Sequence, residues 1–327
     1  MVHVAVLPWV IAYCIRHRCN PIVVMYVNAR TPVVIDPSES KAALFAAIET
    51  RDPTLASLYP RALLVPAANG VDDRAKMVKD FLVQHGIGYP IVAKPDKGSR
   101  SFGAYRVNGE AGLQHLLERI NHDYRIEEYC EGPIEAGLYF LRSPVDGRPS
   151  QYGLAIKHHA DDAIAAPHPE LTPLRTRFLC SDETARLTPA LRQILRAIAD
   201  ATPFDMGRLD VRARSVESLL TEPHHMRVLD MNVGFTVADL HVTDLRHPLS
   251  TRLSMTIGKW RDAFRLGAAH HAASPEKVRV FESLKNCVRY GFVLASIHKD
   301  VYRSPTKVHR VPSGAGGTEP TVQRRVE

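Results

Sequence analysis

No stretch of this sequence is apolar over the roughly 20 residues that a membrane-crossing helix needs. The most apolar run, Val4 to Ile15, is shorter than that. It also lacks a basic segment ahead of it and a small-residue cleavage site behind it, so a strand and helix of the fold are expected there, in a cytoplasmic protein. Cysteine is sparse and odd in number: Cys14, Cys19, Cys130, Cys180 and Cys287 are scattered along the chain. That pattern argues for reduced thiols and against a disulfide framework. Cys14 and Cys19 have no second ligand pair at metal spacing, which leaves free cysteines on a basic helix. No dense Lys/Arg run with interleaved aromatics appears, so nucleic acid is not an expected partner. There is no Gly-Lys-Ser/Thr opening a helix, no convincing nucleophile triad and no internal repeat.

What is present is ordinary for a soluble globular chain. Its 327 residues are 45% hydrophobic and 24% charged, enough for two or three subdomains. The formal charge of +7 and pI near 9.2 favour small anionic partners, although part of the excess sits in the tail after Tyr302. Residues 1–36 read as an abbreviated α/β unit, with a basic helix from Ile15 to Cys19 and a buried-type strand from Pro21 to Val27. Asp36-Pro-Ser-Glu-Ser supplies capping chemistry for a helix over 41–48, whose apolar positions recur at helical spacing. Ala62 to Pro66 is a short strand, and Asp72 to His85 a helix ending at Gly86. Further on, Gly109–Asn121 is a helix, Arg125–Cys130 and Ala136–Arg142 are strands, Asp146-Gly147 is a turn, and Gln151–Lys157 runs back. Residues 159–176 lack periodicity and form an excursion. Thr188-Pro189 opens a helix to Ala201. Residues 252–266 and 276–296 are helical, and the basic Pro/Gly/Ser/Thr-rich segment from Arg303 reads as disordered.

Two regions carry chemistry. The strand Pro90-Ile-Val-Ala-Lys94-Pro leads into Asp96-Lys-Gly-Ser-Arg-Ser-Phe-Gly103 and the strand Ala104-Tyr-Arg-Val. Such a strand–loop–strand suits a flap whose backbone N–H groups close over phosphates. Lys94 lies within an apolar strand, where its ammonium needs a partner or snorkels from the strand end. The second region is Gly207-Arg-Leu-Asp-Val-Arg-Ala-Arg214 with Met226-Arg-Val-Leu-Asp-Met-Asn-Val-Gly234. Both pieces alternate with period two. Arg208, Asp210 and Arg212 share one face, and Asp230 and Asn232 point together. Paired, they bring two carboxylates and an amide oxygen beside a guanidinium, hard oxygen ligation suited to Mg²⁺ with a phosphate nearby. The other reading is a hairpin edge with solvated charges. Basic residues at 142, 148, 157–159, 175 and 177 either recognise an acidic substrate or form a solvated face. His158-His159 and His224-His225 read as ligands or, more plainly, as exposed pairs.

In this order and spacing, the motifs resemble the ATP-grasp superfamily, most nearly its D-alanine–D-alanine-ligase-like carboxylate–amine ligases, over roughly residues 36–245. The fold this implies is α/β (α+β): two α/β subdomains clasping ATP, with a reduced N-terminal α/β subdomain at 1–36. The ATP-grasp domain would span 37–270, divided into 37–125 with the glycine-rich flap and 126–270 with the metal-binding half. A helical segment at 271–302 and a tail at 303–327 follow. By the resemblance, Lys41, Lys94, Lys97, Ser99, Ser101 and Lys157 contact phosphates. Glu127, Tyr129 and Cys130 form the hinge against adenine, Glu135 takes the ribose hydroxyls, and Leu229 lies against the nucleotide. Asp210, Asp230 and Asn232 would hold two Mg²⁺ ions, with Mn²⁺ able to substitute. Arg208, Lys94 and Ser101 would carry the catalytic roles. The implied reaction is ATP-dependent amide or peptide bond formation through an acylphosphate, releasing ADP and phosphate. Its partners would be a small-molecule or peptide carboxylate and an amine, in a homodimer. Asp230 replaces the usual glutamate, and Val-Gly-Phe-Thr follows Asn232, so D-alanine is not the expected substrate. A specialised metabolite or a modified peptide is. The alternatives are an ATP-grasp phosphotransferase and a nucleotide-binding regulatory module impaired in catalysis.

Overall fold

The computed structural model describes residues 7–18, 20–28, 40–98, 101–143, 145–159, 168–174, 178–233 and 241–273. Ser99, the segment from 234 to 240, the expected helix at 276–296 and the tail lie outside these residues. Within them the chain is mixed α/β and forms two antiparallel five-stranded sheets. The first is built from β1 (Ala62–Val65), β4 (Tyr124–Glu128), β2 (Ile91–Pro95), β3 (Tyr105–Val107) and β7 (Leu171–Pro173), in that spatial order. The second is β10 (Arg227–Val233), β9 (Met206–Ala213), β5 (Ile134–Arg142), β6 (Pro149–His159) and β8 (Phe178–Asp182).

Each sheet has a packed face and a face turned to the other sheet, and the period-two alternation decides which residue goes where. In the first sheet Ile91, Ala93, Tyr105, Val107, Tyr124 and Ile126 point to α3 (Val71–His85) and α4 (Glu110–Arg119), where they form a core with Val78, Phe81, Leu113 and Leu117. In the second sheet Ala136, Leu138, Phe140, Leu154, Leu209 and Val211 meet α2 (Lys41–Arg51) and α5 (Pro189–Ala201). Leu191, Leu195, Ile198 and Ala199 line one side of α5 at helical spacing and are buried. Cutting one of these leucines to alanine costs about 2–5 kcal/mol through lost contacts and the cavity left behind.

Local chemistry sets the element ends. Ser40 accepts from the Ala43 N–H and caps α2, and Thr188 accepts from the Leu191 N–H with Pro189 in the first turn of α5. Gly86 ends α3 in the left-handed conformation (φ 63°). The polar connection between β9 and β10 holds a short helix, α6 (Val216–Thr221), closed by a Ser215/Ser218 capping box.

The N-terminal expectation needs correcting. The expected α/β unit is helical wherever it is described: α1 spans Leu7–Arg16, and Pro21–Tyr26 is a 3₁₀ turn rather than a strand. Its apolar side chains are buried against α7 (Leu249–Ala273) instead of within a sheet, with Val10, Cys14 and Val23 around Phe264. The approach is close: a Cβ on Gly267 would run into the Val23 carbonyl. The excursion at 159–176 also hides more structure than its composition suggests. Its β7 crosses to the first sheet and pairs with β3, and the chain then returns as β8 to the second.

Candidate active site

Between the inner faces of the two sheets lies a cavity of about 530 Å³, within the range of small-molecule sites. Among the residues lining it are Lys41, Lys94, Ser101, Glu127, Tyr129, Cys130, Glu135, Lys157, Arg208, Asp210, Leu229 and Asp230. Residues expected at one site from motifs nearly 190 positions apart therefore line one cavity. Lys97 is exposed at the flap and does not line it.

The second sheet supplies a charged floor. β9 and β10 pair antiparallel with Asp210 directly opposite Asp230 and Arg208 opposite Asn232. Arg208 reaches Asp210 through two bonds, Nε to Oδ1 at 2.8 Å and Nη2 to Oδ2 at 3.1 Å. Asn232 Nδ2 donates to the same Oδ2 at 3.0 Å. On the neighbouring strands Lys157 stands opposite Glu135, and its Nζ lies 2.7 Å from Glu135 and 3.1 Å from Asp210. Burial alone would lower the Lys157 pKa, but Asp210 and Glu135 outweigh it and raise it. Burial likewise works against ionised Glu135, yet hydrogen bonds from His159 and Lys157 hold its carboxyl well below the usual range.

The two lysines on the opposite wall are placed by a backbone device. Asp96, just past β2, accepts from the Ala42 N–H at 2.9 Å and its carbonyl accepts from the Lys41 N–H at 3.2 Å. The end of the Lys94 strand thus fixes the start of α2, and Lys41 forms an ion pair with Asp230. Lys94 lies 2.8 Å from Glu127 and donates at 2.8 Å to the Leu229 carbonyl. The β10 register shifts between Val228 and Asp230, at Leu229, which turns that carbonyl to the lysine. Burial pushes the Asp230 carboxyl up, and Lys41 and Lys94 more than reverse it. The partner that Lys94 needed is therefore Glu127, which also takes Arg125 Nε at 3.1 Å.

At the flap, Ser101 (φ 55°) and Gly103 (φ 71°) adopt left-handed backbone, and the Tyr124 hydroxyl donates to the Gly103 carbonyl at 2.9 Å. At the hinge between the sheets, Gly132 has φ +137°, and a Cβ there would meet the Ala213 carbonyl oxygen at 2.5 Å. Burial raises the Cys130 thiol pKa.

Some residues went unrecognised by motif. Arg212 donates to the Cys130 carbonyl at 3.0 Å and sits 3.4 Å from Glu135; its place on the Arg208 face was the available signal. His159 bonds Glu135 at 3.1 Å, whereas His158 is exposed and meets Ser181 at 2.9 Å. Arg106, Phe178 and the strap residues Thr172, Pro173 and Leu174 also line the cavity. Arg106 left a trace in the alternation of its strand, and the strap left none, being too short to show a period. The expected substrate-reading role of the basic residues needs one correction. Arg142 is 5% exposed and donates to the Gly147, Ala199 and Phe204 carbonyls, so it ties elements together away from the cavity. Residues 175 and 177 lie outside the described residues. His224 and His225 are exposed.

As a metal site, the candidate oxygen donors are Asp210 and Asp230, opposite each other on β9 and β10, and Asn232, whose amide nitrogen is turned to Asp210 here. Among the described residues no cluster of three His, Cys, Asp or Glu side chains stands at metal-holding geometry. The donor set is two carboxylates and an amide oxygen, chemistry that fits Mg²⁺, with the Lys41 ammonium now paired to one of the carboxylates. No helix among the described residues is long and apolar enough to cross a membrane.

No family model matches the sequence, and no curated protein matches it. Among solved structures the chain is similar to D-cycloserine synthetase DcsG, at 18% identity over 72% of this chain and 71% of that one, with a TM-score of 0.44. It is also similar to the VanG D-Ala:D-Ser ligase from Enterococcus faecalis, at 16% identity over 68% and 61%, TM-score 0.43. A third is the D-alanine–D-alanine ligase from Bacillus anthracis, at 15% identity over 68% and 66%, TM-score 0.41. The chain spans 61–71% of the length of these proteins. At such identities they are likenesses in fold.

Proposed function

We propose that the chain is an ATP-dependent carboxylate–amine ligase. The observation that carries this reading is the joining, in one cavity, of Lys41, Lys94, Lys157 and Arg208 with Asp210 and Asp230, with Asn232 bonded to Asp210 beside them. Four cations facing paired oxygen donors suit a polyphosphate and its divalent ion, and no nucleophilic side chain is needed for phosphoryl transfer. The ATP-grasp domain at 37–270, the two-ion count and the hinge, ribose and phosphate roles given above belong to the same proposal.

In the proposed reaction a substrate carboxylate oxygen attacks the γ-phosphorus of ATP, and the bond to the β-phosphate oxygen breaks to release ADP. An amine then attacks the acyl carbon of the acylphosphate, phosphate leaves with the bonding electrons, and the nitrogen loses a proton. Arg208 is held by Asp210 with its guanidinium at the cavity wall, where it stabilises charge on the transferring group and later on the tetrahedral oxyanion. Lys94 and Lys41 orient phosphates from the opposite wall, and Ser101 reaches in from the flap. Asp210, Asp230 and Asn232 would hold Mg²⁺, which when bound neutralises charge on the phosphate oxygens. Lys41, paired with Asp230 here, would exchange that carboxylate for a phosphate if Asp230 held the ion.

The test is a mass-spectrometric screen of carboxylates against amines with ATP and Mg²⁺. An amide product, with ADP release that depends on both substrates, is the expected result. A phosphorylated product formed without amine makes the chain a phosphotransferase. Nucleotide binding without turnover across a broad panel makes it a regulatory module. A specialised metabolite or a peptide is the substrate class to screen first.

A further inference from the structure

One cation in the cavity stands apart from the others. Lys41, Lys94, Lys157, Arg208 and Arg212 each have a carboxylate partner. Arg106 on β3 lines the same cavity and has no carboxylate partner among the described residues. Its Nε is buried without a hydrogen bond. Its guanidinium carbon lies 4.8 Å from the centre of the Tyr129 ring, and that of Arg212 lies 5.7 Å from the same centre. A guanidinium resting on an aromatic ring is held in orientation and keeps its donors in its own plane.

Register shows what Arg106 faces. Val92 on β2 stands directly between Glu127 of β4 and Arg106 of β3, each about 5 Å to either side at ordinary strand spacing. Thr172 of the strap is the next residue in the same row. The row therefore presents a carboxylate, an apolar floor and a guanidinium. Both cations that meet Glu127 lie near Oε1, at 2.8 and 3.1 Å, and that buried oxygen has no hydrogen bond. Ala104, Pro173 and Leu174 add apolar wall around the row. Arg106 sits two strand positions from the Lys94 pair, away from the Asp210–Asp230 floor. A flat apolar slot with an acceptor on one side and a donor on the other fits a planar heterocycle that offers a donor and an acceptor along one edge.

We propose that Arg106 is a specificity-determining residue, and that with Glu127 it reads the edge of adenine carrying the N6 amino group and N7. The Glu127 carboxylate accepts from N6, and Arg106 donates to N7. Guanine, which presents O6 in place of the amino group, would set one acceptor against the Glu127 carboxylate. This rests on the nucleotide reading above and extends it to the base.

The test compares ATP with 7-deaza-ATP, in which carbon replaces N7, by calorimetric binding to the wild-type protein and to Arg106→Met. A charge-assisted hydrogen bond predicts that the wild type binds 7-deaza-ATP about tenfold more weakly than ATP. Arg106→Met should lose about tenfold for ATP and little for 7-deaza-ATP, so that the gap between the two closes. A merely structural Arg106 would weaken both nucleotides equally and leave the gap open. A gap that survives in Arg106→Met overturns the proposal and assigns N7 to another donor. Equal wild-type binding of the two nucleotides also overturns it while leaving the nucleotide reading intact, whereas binding of neither removes both. Should Arg106→Met fail to fold, Arg106→Leu takes its place, and the closing or survival of the gap is read in the same way.

Discussion

The two sheets enclose the same cavity by different means. The second presents a closed network in which Glu135, Lys157, Arg208, Asp210 and Arg212 are linked through successive ion pairs on adjacent strands. The first presents a row with an apolar floor, Val92 and Ala104 lining the wall between Glu127 and Arg106, and Glu127 ion-paired to Lys94 and Arg125. A network of buried charges is stable only when every member is satisfied, so it is rigid and geometrically specific. An apolar slot tolerates change but discriminates weakly. Under the proposed function the two sheets would do different work, with the charged floor suited to the reacting phosphate and metal and the apolar floor of the other sheet suited to a planar base.

Lys157→Met is the largest expected break in this contrast. Lys157 bridges two carboxylates and its side chain is only 4% exposed. Removing it leaves Glu135 with His159 and Arg212, and Asp210 with Arg208, one cation short in a buried site. The expected loss is about 3 kcal/mol, at the lower end for a broken buried pair because each carboxylate keeps another partner. Urea unfolding measures it, and a loss under about 1 kcal/mol would mean that the floor does not act as a network. Lys94→Met in the first sheet should cost less, about 1–2 kcal/mol, since Arg125 still holds Glu127.

Arg208→Ala should reduce ADP formation by about 10²–10³-fold, the scale for removing one preorganised donor to a developing oxyanion. The fold should survive, because Asp210 keeps Lys157 and Asn232. Near-wild-type turnover in a folded Arg208→Ala protein would take the reacting phosphate away from the second sheet.

Acid separates the sheets more gently. The Glu135 carboxyl is held below its ordinary value although burial opposes this, through His159 and Lys157. Its stabilising contribution is therefore fully present above the unfolded-state pKa of about 4.3 and is lost as pH falls through the lower folded value. Below about pH 4.5 the wild type should lose urea resistance more steeply than Glu135→Gln, which has no such proton to bind. Parallel pH profiles for the two proteins would count against an ionised, network-held Glu135.

Much of this was legible because strand alternation is rigid. Period two placed Arg208 with Asp210 and Asp230 with Asn232, and the antiparallel pairing of β9 and β10 sets the two pairs opposite each other. The caps at Ser40 and Thr188 were legible for the same local reason. The apolar 21–27 segment was not, because buried strands and buried helical turns share a composition, and contact with α7 decides between them. Nor could local pattern find Glu127 as the partner of Lys94. Their strands pair across the sheet, and Glu127 lies opposite Val92 rather than opposite the lysine. β7 was missed because three residues are too short to show a period. The roles of Arg106 and His159 depend on neighbours far away in sequence, which no local reading supplies.

The smallest expected effect marks the rim between the two sheets. Arg227 of β10 reaches Glu128 of β4 at 3.1 Å, with side chains 28% and 36% exposed, so the pair ties the first sheet to the second at the solvent boundary. In high dielectric the Coulomb gain is small and the ordering of two long side chains opposes it. Arg227 also donates to the Ser57 carbonyl, a contact that alanine would surrender to water. Arg227→Ala should therefore cost about 0.5–1 kcal/mol, and less still at high salt. If it cost as much as Lys157→Met, the rim rather than the charged floor would be joining the sheets. Urea midpoints for both variants at 0.05 M and 1 M NaCl would expose that reversal, since the exposed pair is screened and the buried network is not.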